Sequence, residues 1–202
     1  MFLKSPPPLI LASTSRYRRG LLERLGLHFS CVAPGVDEVA LTHEPGMALV
    51  GRLARAKATA VASQHPQAWV IGSDQVALLL EAGGQETILG KPGSAEKCIQ
   101  QLEQCSGKTL AFITGVAVLQ HESGTCHEFI DTTRVRYRDL DRATIERYVE
   151  RERPFDCAGG FKSEALGITL CESIDSIDPT GLIGLPLIRL SALLREAGYP
   201  LP

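Results

Sequence analysis

An aspartate sits inside an apolar run, Trp69-Val70-Ile71-Gly72-Ser73-Asp74-Gln75-Val76-Ala77-Leu78-Leu79-Leu80, and this constrains the fold more than any other feature of the chain. Apolar residues in succession, without a polar alternate face, read as strand that both sides of a sheet must cover. The pattern predicts a buried strand from Trp69 to Gly72, an interruption at Ser73-Asp74-Gln75, and a second stretch over Val76 to Leu80 that enters a hairpin at Gly83-Gly84. A carboxylate bracketed by buried strand costs free energy unless a cation, a metal or a hydrogen-bond donor accompanies it. The plain alternative is a turn aspartate that breaks the strand.

The rest of the chain supplies helices to cover such a sheet. Leu9-Ile10-Leu11-Ala12 reads as a strand, Ser13-Thr14-Ser15 as a polar turn, and the segment with Leu21, Leu22 and Leu25 before Gly26 as a helix capped by Ser15. A strand is expected over Phe29 to Ala33, then the Pro34-Gly35 turn, a polar loop through Val36-Asp37-Glu38, and a helix from Pro45 to about Ser63. Further on, the spacing predicts a helix over 94–105, paired strands over 109–119 and 126–137, and a helix from Asp141 to about Arg151. A Gly159-Gly160 loop follows, and a last helix over 183–197, interrupted or started near Pro186. Helices alternate with strands early and hairpins come late, so the fold class expected is α/β, a mixed central sheet with flanking helices.

A chain of 202 residues, 44% hydrophobic and 22% charged, can bury one sizeable core, and one domain over residues 1–202 is the expectation. The net charge of −2 gives no overall pull toward nucleic acid or an anionic membrane, so any polyanion site must be local. Residues 1–60 carry such a local excess, with eight Lys/Arg against four Asp/Glu. The six cysteines form no CxxC pair and no metal-like spacing, so they are expected to be reduced. Pro6 to Pro8 cannot join a signal-peptide helix, and no apolar run approaches the roughly 20 residues of a membrane span. A cytoplasmic protein is the expectation. The five histidines show no HExxH, and GxxxxGK[ST], GxSxG and GxGxxG are all missing, which removes the commonest zinc-hydrolase, nucleotide and acyl-transfer signatures.

Several residues nonetheless look chemical. Ser13 to Arg19 brings hydroxyls, the N–H groups of a helix N-terminus and guanidinium groups together, suiting a phosphate, although an N-cap followed by solvated arginines has the same sequence. Lys57 shares a helical stripe with Val50, Leu53, Ala54 and Val61, whereas Arg52 and Arg55 point elsewhere, so its ammonium needs either a partner or a path to water. Glu38 and Asp74, on separate segments, offer two hard carboxylates of the kind that hold Mg²⁺ or Mn²⁺. Gly90-Lys91-Pro92 is a rigid turn presenting one Lys, and Phe161-Lys162-Ser163-Glu164 a loop with one Lys and one Glu.

Together Leu9 to Ser13 with Arg18-Arg19, Val36-Asp37-Glu38, Ala54-Arg55-Ala56-Lys57-Ala58, Gly72-Ser73-Asp74-Gln75, Gly90-Lys91-Pro92 and the Gly159 to Glu164 loop resemble, in order and over nearly the whole chain, the Maf family of nucleotide pyrophosphatases. The resemblance implies a fold like that of inosine triphosphate pyrophosphatases, two lobes around a cleft, and hydrolysis of a nucleoside triphosphate to a monophosphate and pyrophosphate with a divalent cation, Mg²⁺ or Mn²⁺. It implies Asp74 as general base, Glu38 and Asp74 as metal ligands, and Ser13, Arg18, Lys57 and Lys91 as phosphate contacts. At three positions that distinguish substrates the chain carries Tyr17, Gln75 and Glu164, which is similar to the branch acting on 7-methyl-GTP and unlike the Arg, Thr and Gln of the dTTP/UTP branch. A methylated guanine is cationic, which an aromatic face attracts by roughly 0.5–2 kcal/mol. Glu164 has the acceptors for the guanine N1–H and amine. The chain departs from the branch in carrying Tyr17 where Trp is usual and Arg16 where Pro is common. A dTTP/UTP pyrophosphatase and a nucleotide-sensing regulator of septum formation are the alternatives. Stable nucleic-acid and membrane partners are not expected, and a homodimer is implied only by the resemblance.

Overall fold

The run around Asp74 forms one unbroken strand in the computed structural model, which describes residues 6–80 and 86–202. The interruption expected at Ser73-Asp74-Gln75 does not occur. Each of the three polar side chains finds a tertiary partner: Ser73 Oγ donates to the Gly184 carbonyl (2.9 Å), Asp74 Oδ1 accepts from Lys57 (2.7 Å), and Gln75 Nε2 donates to the Gly181 and Leu182 carbonyls (2.9 and 3.1 Å). A buried polar group that is bonded need not turn the chain toward water.

Among the described residues there are seven strands and five α-helices: β1 (Leu9–Leu11), α1 (Arg16–Glu23), β2 (Ser30–Cys31), α2 (Gly46–Ala62), β3 (Trp69–Leu80), β4 (Glu86–Leu89), α3 (Ala95–Cys105), β5 (Thr109–Gln120), β6 (Thr125–Tyr137), α4 (Arg142–Glu152), β7 (Cys171–Asp175) and α5 (Leu187–Glu196). The sheet order is β2-β1-β3-β5-β6-β7, with β4 also on β3. It is mixed: β1 runs parallel to β2 and β3, whereas β4 is antiparallel to β3 and β7 to β6. The α/β class expected from the sequence is therefore observed, as is the pairing of β5 with β6.

Local signals explain most boundaries. Ser15, Ser94 and Asp141 cap α1, α3 and α4 by accepting the backbone N–H three residues on. The last helix starts at Leu187, directly after Pro186, which resolves the two options the sequence left there. The strand expected over Phe29 to Ala33 shrinks to Ser30–Cys31, because β1, its pairing partner, matches it only at Ile10↔Ser30 and Leu11↔Cys31. The Gly83-Gly84 turn lies outside the described residues, but the strands flanking it pair from Ala77↔Leu89 to Leu80↔Glu86. All six cysteines are free, and no helix among the described residues is long and apolar enough to cross a membrane.

The chain divides into two compact units, to each of which β3, β5 and β6 contribute residues. The first holds the chain up to Asp74, Thr114–Asp131 and Gly184–Pro202. One of its buried clusters, Ile10, Ala12, Ala54, Ala58, Val61, Ala62, Ala68, Val70 and Ala117, is rich in alanine. Small residues let α2 lie close on the strands: a Cβ at Gly72 would stand 2.2 Å from the Ala54 carbonyl oxygen, and one at Gly115 2.6 Å from that of Val50. This close approach carries Lys57 to Asp74. We expect Gly72→Ala to lower the unfolding free energy by about 1–3 kcal/mol or more, since two backbones must part to admit one methyl group. A urea midpoint unchanged from wild type would show that α2 is not held at this distance.

The second unit comprises Gln75–Ile113 with Thr132–Ile183. Phe161 packs between Phe112 and Tyr137 at ring-centroid distances of 5.5 and 5.4 Å, above Leu102, Leu110, Ile145 and Val149 of one apolar cluster.

Candidate active site

In the first unit the end of β1, the start of α1, the 36–44 loop, α2 and the middle of β3 each deliver one functional group. Ser13 follows β1, is buried, and its Oγ accepts from the Ser15 backbone N–H at 3.1 Å. Lys57, on the buried face of α2 with 4% of its surface exposed, donates to Asp74 Oδ1 at 2.7 Å and pairs with Glu38 Oε1 at 2.6 Å. The helical stripe thus does place Lys57 inward, and the partner its ammonium needs is the strand carboxylate that itself needed a cation. Asp74 is 7% exposed and Glu38 mostly exposed, so this triad runs from the core outward.

Arg18 joins the group through a carbonyl that sequence reasoning did not single out. Its Nε donates to Gly184 O at 2.9 Å, and Ser73 Oγ donates to the same oxygen at 2.9 Å, so Arg18 is tied to the residue before Asp74. Burial lowers the Arg18 pKa from its ordinary value, while the charges of Asp74 and Glu38 oppose that shift. An arginine stays cationic regardless. Gly184 has φ +114°, and a Cβ there would touch Arg18 Nε at 3.4 Å. The signal available in the sequence was a glycine two residues before Pro186, too common to be informative alone.

Tyr17, half-buried on the first turn of α1, carries the Arg16 guanidinium 4.8 Å from its ring centroid, and Arg16 also donates to its hydroxyl at 2.8 Å. A cation therefore already occupies one face of the Tyr17 ring.

The remaining sequence-predicted residues belong to the second unit. Gln75 spends amide hydrogens on Gly181 and Leu182, anchoring the turn that leads into Gly184. Lys91 is exposed on its turn, where Gly90 O accepts from the Gly159 N–H at 3.1 Å. The Lys91 turn and the loop after Gly159 are thereby stitched together although far apart in sequence. Glu164 is exposed and accepts from Ser163 Oγ at 3.4 Å.

Chemically, the first unit offers two cations and a hydroxyl suited to phosphate oxygens, and two carboxylates that converge on one ammonium. No group of three or more His, Cys, Asp and Glu side chains that could cage a metal exists among the described residues. Mg²⁺ needs no such cage, since one or two carboxylates with substrate phosphates and water complete its shell. Glu38 and Asp74 fit that pattern, already enclosing a cation between hard oxygens.

The sequence matches the family model described as Maf-like protein over residues 8–197. Among its relatives are proteins named 7-methyl-GTP pyrophosphatase from Aromatoleum aromaticum (52% identical, covering 96% of this chain and 97% of the relative) and Alkalilimnicola ehrlichii (51%, covering 96% of each). Another of that name, from Nitrosococcus oceani, is 47% identical over 97% of this chain and 96% of its own length. A solved structure, that of the Staphylococcus aureus Ham1 protein, is similar with a TM-score of 0.47 at 17% identity, covering 65% of this chain and 72% of that one.

Proposed function

The chain belongs to the Maf family, and from that premise we propose that it is a nucleoside triphosphate pyrophosphatase converting 7-methyl-GTP to 7-methyl-GMP and pyrophosphate. The observation that carries the reading is Lys57, whose buried ammonium bonds Asp74 and Glu38 at once beside an Arg18 tied to Gly184.

Ser13, Arg18 and Lys57 bind the phosphate oxygens, with Lys91 as a further contact. Asp74 orients a water and takes its proton as the water oxygen forms a bond to the α-phosphorus. The bond from that phosphorus to the bridging oxygen breaks, and pyrophosphate leaves with the electron pair. The charges of Arg18 and Lys57 are matched by those of Glu38 and Asp74, so a polyanionic tail needs cations beyond these four residues. A divalent cation, Mg²⁺ or Mn²⁺, held by Glu38 and Asp74 would neutralise charge on the phosphates. Tyr17 stacks on the methylated base, which displaces Arg16 from the ring, Glu164 accepts from the guanine N1–H and amine, and Gln75 is the third specificity position. Residues 1–202 act as one functional domain in this reading. The free thiols suit a reducing cytoplasm, and the proposed state is a homodimer, which sedimentation velocity checks.

The test is pyrophosphate release from a panel of nucleotides with Mg²⁺ and with Mn²⁺. The expected result is the highest kcat/KM on 7-methyl-GTP, and equal or faster turnover of dTTP or UTP overturns the assignment. Glu164→Gln is expected to cut the preference for 7-methyl-GTP over UTP by about tenfold or more, the value of a hydrogen bond to a charged acceptor. An unchanged preference removes Glu164 from base recognition.

A further inference from the structure

The loop that carries Glu164 is a turn in which Lys162 O accepts from the Ala165 and Gly167 N–H groups at 3.3 and 3.1 Å, and side chains from outside the turn hold it on both sides of Glu164. The grip comes from one face of α4. Tyr148 and Glu152 lie one helical turn apart, on the stripe that also buries Ile145 and Val149. The Tyr148 hydroxyl donates to Gly160 O at 3.0 Å and accepts from the Lys162 N–H at 3.1 Å. Glu152, whose side chain is 11% exposed, bonds Lys162 Nζ through Oε1 and accepts the Leu166 N–H through Oε2 at 3.1 Å. Both carboxylate oxygens are thus committed, one two residues before Glu164 and one two residues after it.

We propose that Glu152 and Tyr148 are positioning residues for base selection, fixing the Glu164 carboxylate by clamping the backbone on both sides of it. The inference rests on the reading of Glu164 as the base contact. Lys162, the only cation in the Phe161 to Glu164 segment, is then committed to the clamp, and its ammonium is not a phosphate ligand. Burial raises the Glu152 pKa, but the bonds from Lys162 and Leu166 outweigh it and leave the carboxyl below its usual value. The bond to Glu152 holds the Lys162 pKa above its usual value. The pair therefore stays ionised through neutral pH. Arg153, the next residue, takes a left-handed φ of 49°, so α4 stops where Glu152 can reach the loop.

The experiment compares kcat/KM for 7-methyl-GTP and for UTP in Glu152→Gln, Glu152→Asp, Tyr148→Phe and Glu164→Gln. Glu152→Gln and Tyr148→Phe are expected to lower the 7-methyl-GTP:UTP ratio by about tenfold, through a raised KM for the methylated nucleotide, with Glu152→Asp recovering part of it. Adding Glu152→Gln to Glu164→Gln is expected to change the ratio no further, because the first acts through the second. An equal loss on both nucleotides overturns the proposal, as does a full additional loss in the double variant. If Glu152→Gln does not fold, Tyr148→Phe, which removes one oxygen, carries the same test. Should Glu164→Gln leave the ratio unchanged, the base-contact reading fails. Should Glu164→Gln collapse the ratio while Glu152→Gln and Tyr148→Phe leave it intact, only the clamp fails.

Discussion

Asp74→Asn is expected to slow pyrophosphate release from every nucleotide by on the order of 10²–10⁴-fold while the protein stays folded and still binds its substrate. Asn keeps the shape of the side chain and an Oδ1 that can accept from Lys57, and Glu38 remains as the ammonium's charged partner at 2.6 Å. What is lost is the basic oxygen that takes a proton from water. The loss should fall on kcat, since the phosphate contacts assigned to Ser13, Arg18, Lys57 and Lys91 persist. Calorimetry with a non-hydrolysable analogue separates the steps: binding retained with turnover abolished is the expected pair of results. Turnover within a few-fold of wild type would remove Asp74 as the base. A wild-type protein that binds nucleotides yet releases no pyrophosphate with either metal would favour a sensor.

The parts of this site that were legible from sequence are those where burial conflicts with charge. Lys57 on an apolar helical stripe and Asp74 in an apolar strand each signalled an unmet need, and α2 lying against β3 at Gly72 lets one satisfy the other. Ser15 and Asp141 were legible as caps because a capping side chain acts within three residues of itself. The continuity of β3 was not legible, since Ser73 and Gln75 are kept in the strand by carbonyls of Gly184, Gly181 and Leu182, more than a hundred residues away. The Glu152 to Lys162 pair was hidden for a related reason. Both residues sit among other charged and polar neighbours in sequence, and they meet only after the chain turns at Arg153 and again at Ala158–Gly160.

Lys57→Met tests the other half of the conflict, and its largest effect should be on stability. Methionine keeps an unbranched stem on the buried face of α2 but removes the cation, leaving the Asp74 carboxyl group at 7% exposure without the ammonium it bonds. Breaking a buried pair from one side costs about 3–5 kcal/mol, because the desolvation of the surviving charge is no longer offset. At about 2–4 °C per kcal/mol for a chain of this size, the thermal midpoint should fall visibly, alongside the loss of a phosphate contact. Lys57→Met combined with Asp74→Asn should regain much of that stability, since neither residue is then charged and the remaining amide is a smaller burden than a bare carboxylate. Urea unfolding of the single and double variants measures the coupling directly. Should Lys57→Met unfold within about 0.5 kcal/mol of wild type, the spread of ordinary surface substitutions, the ammonium is reaching water and the pairing with Asp74 is not what holds it inward.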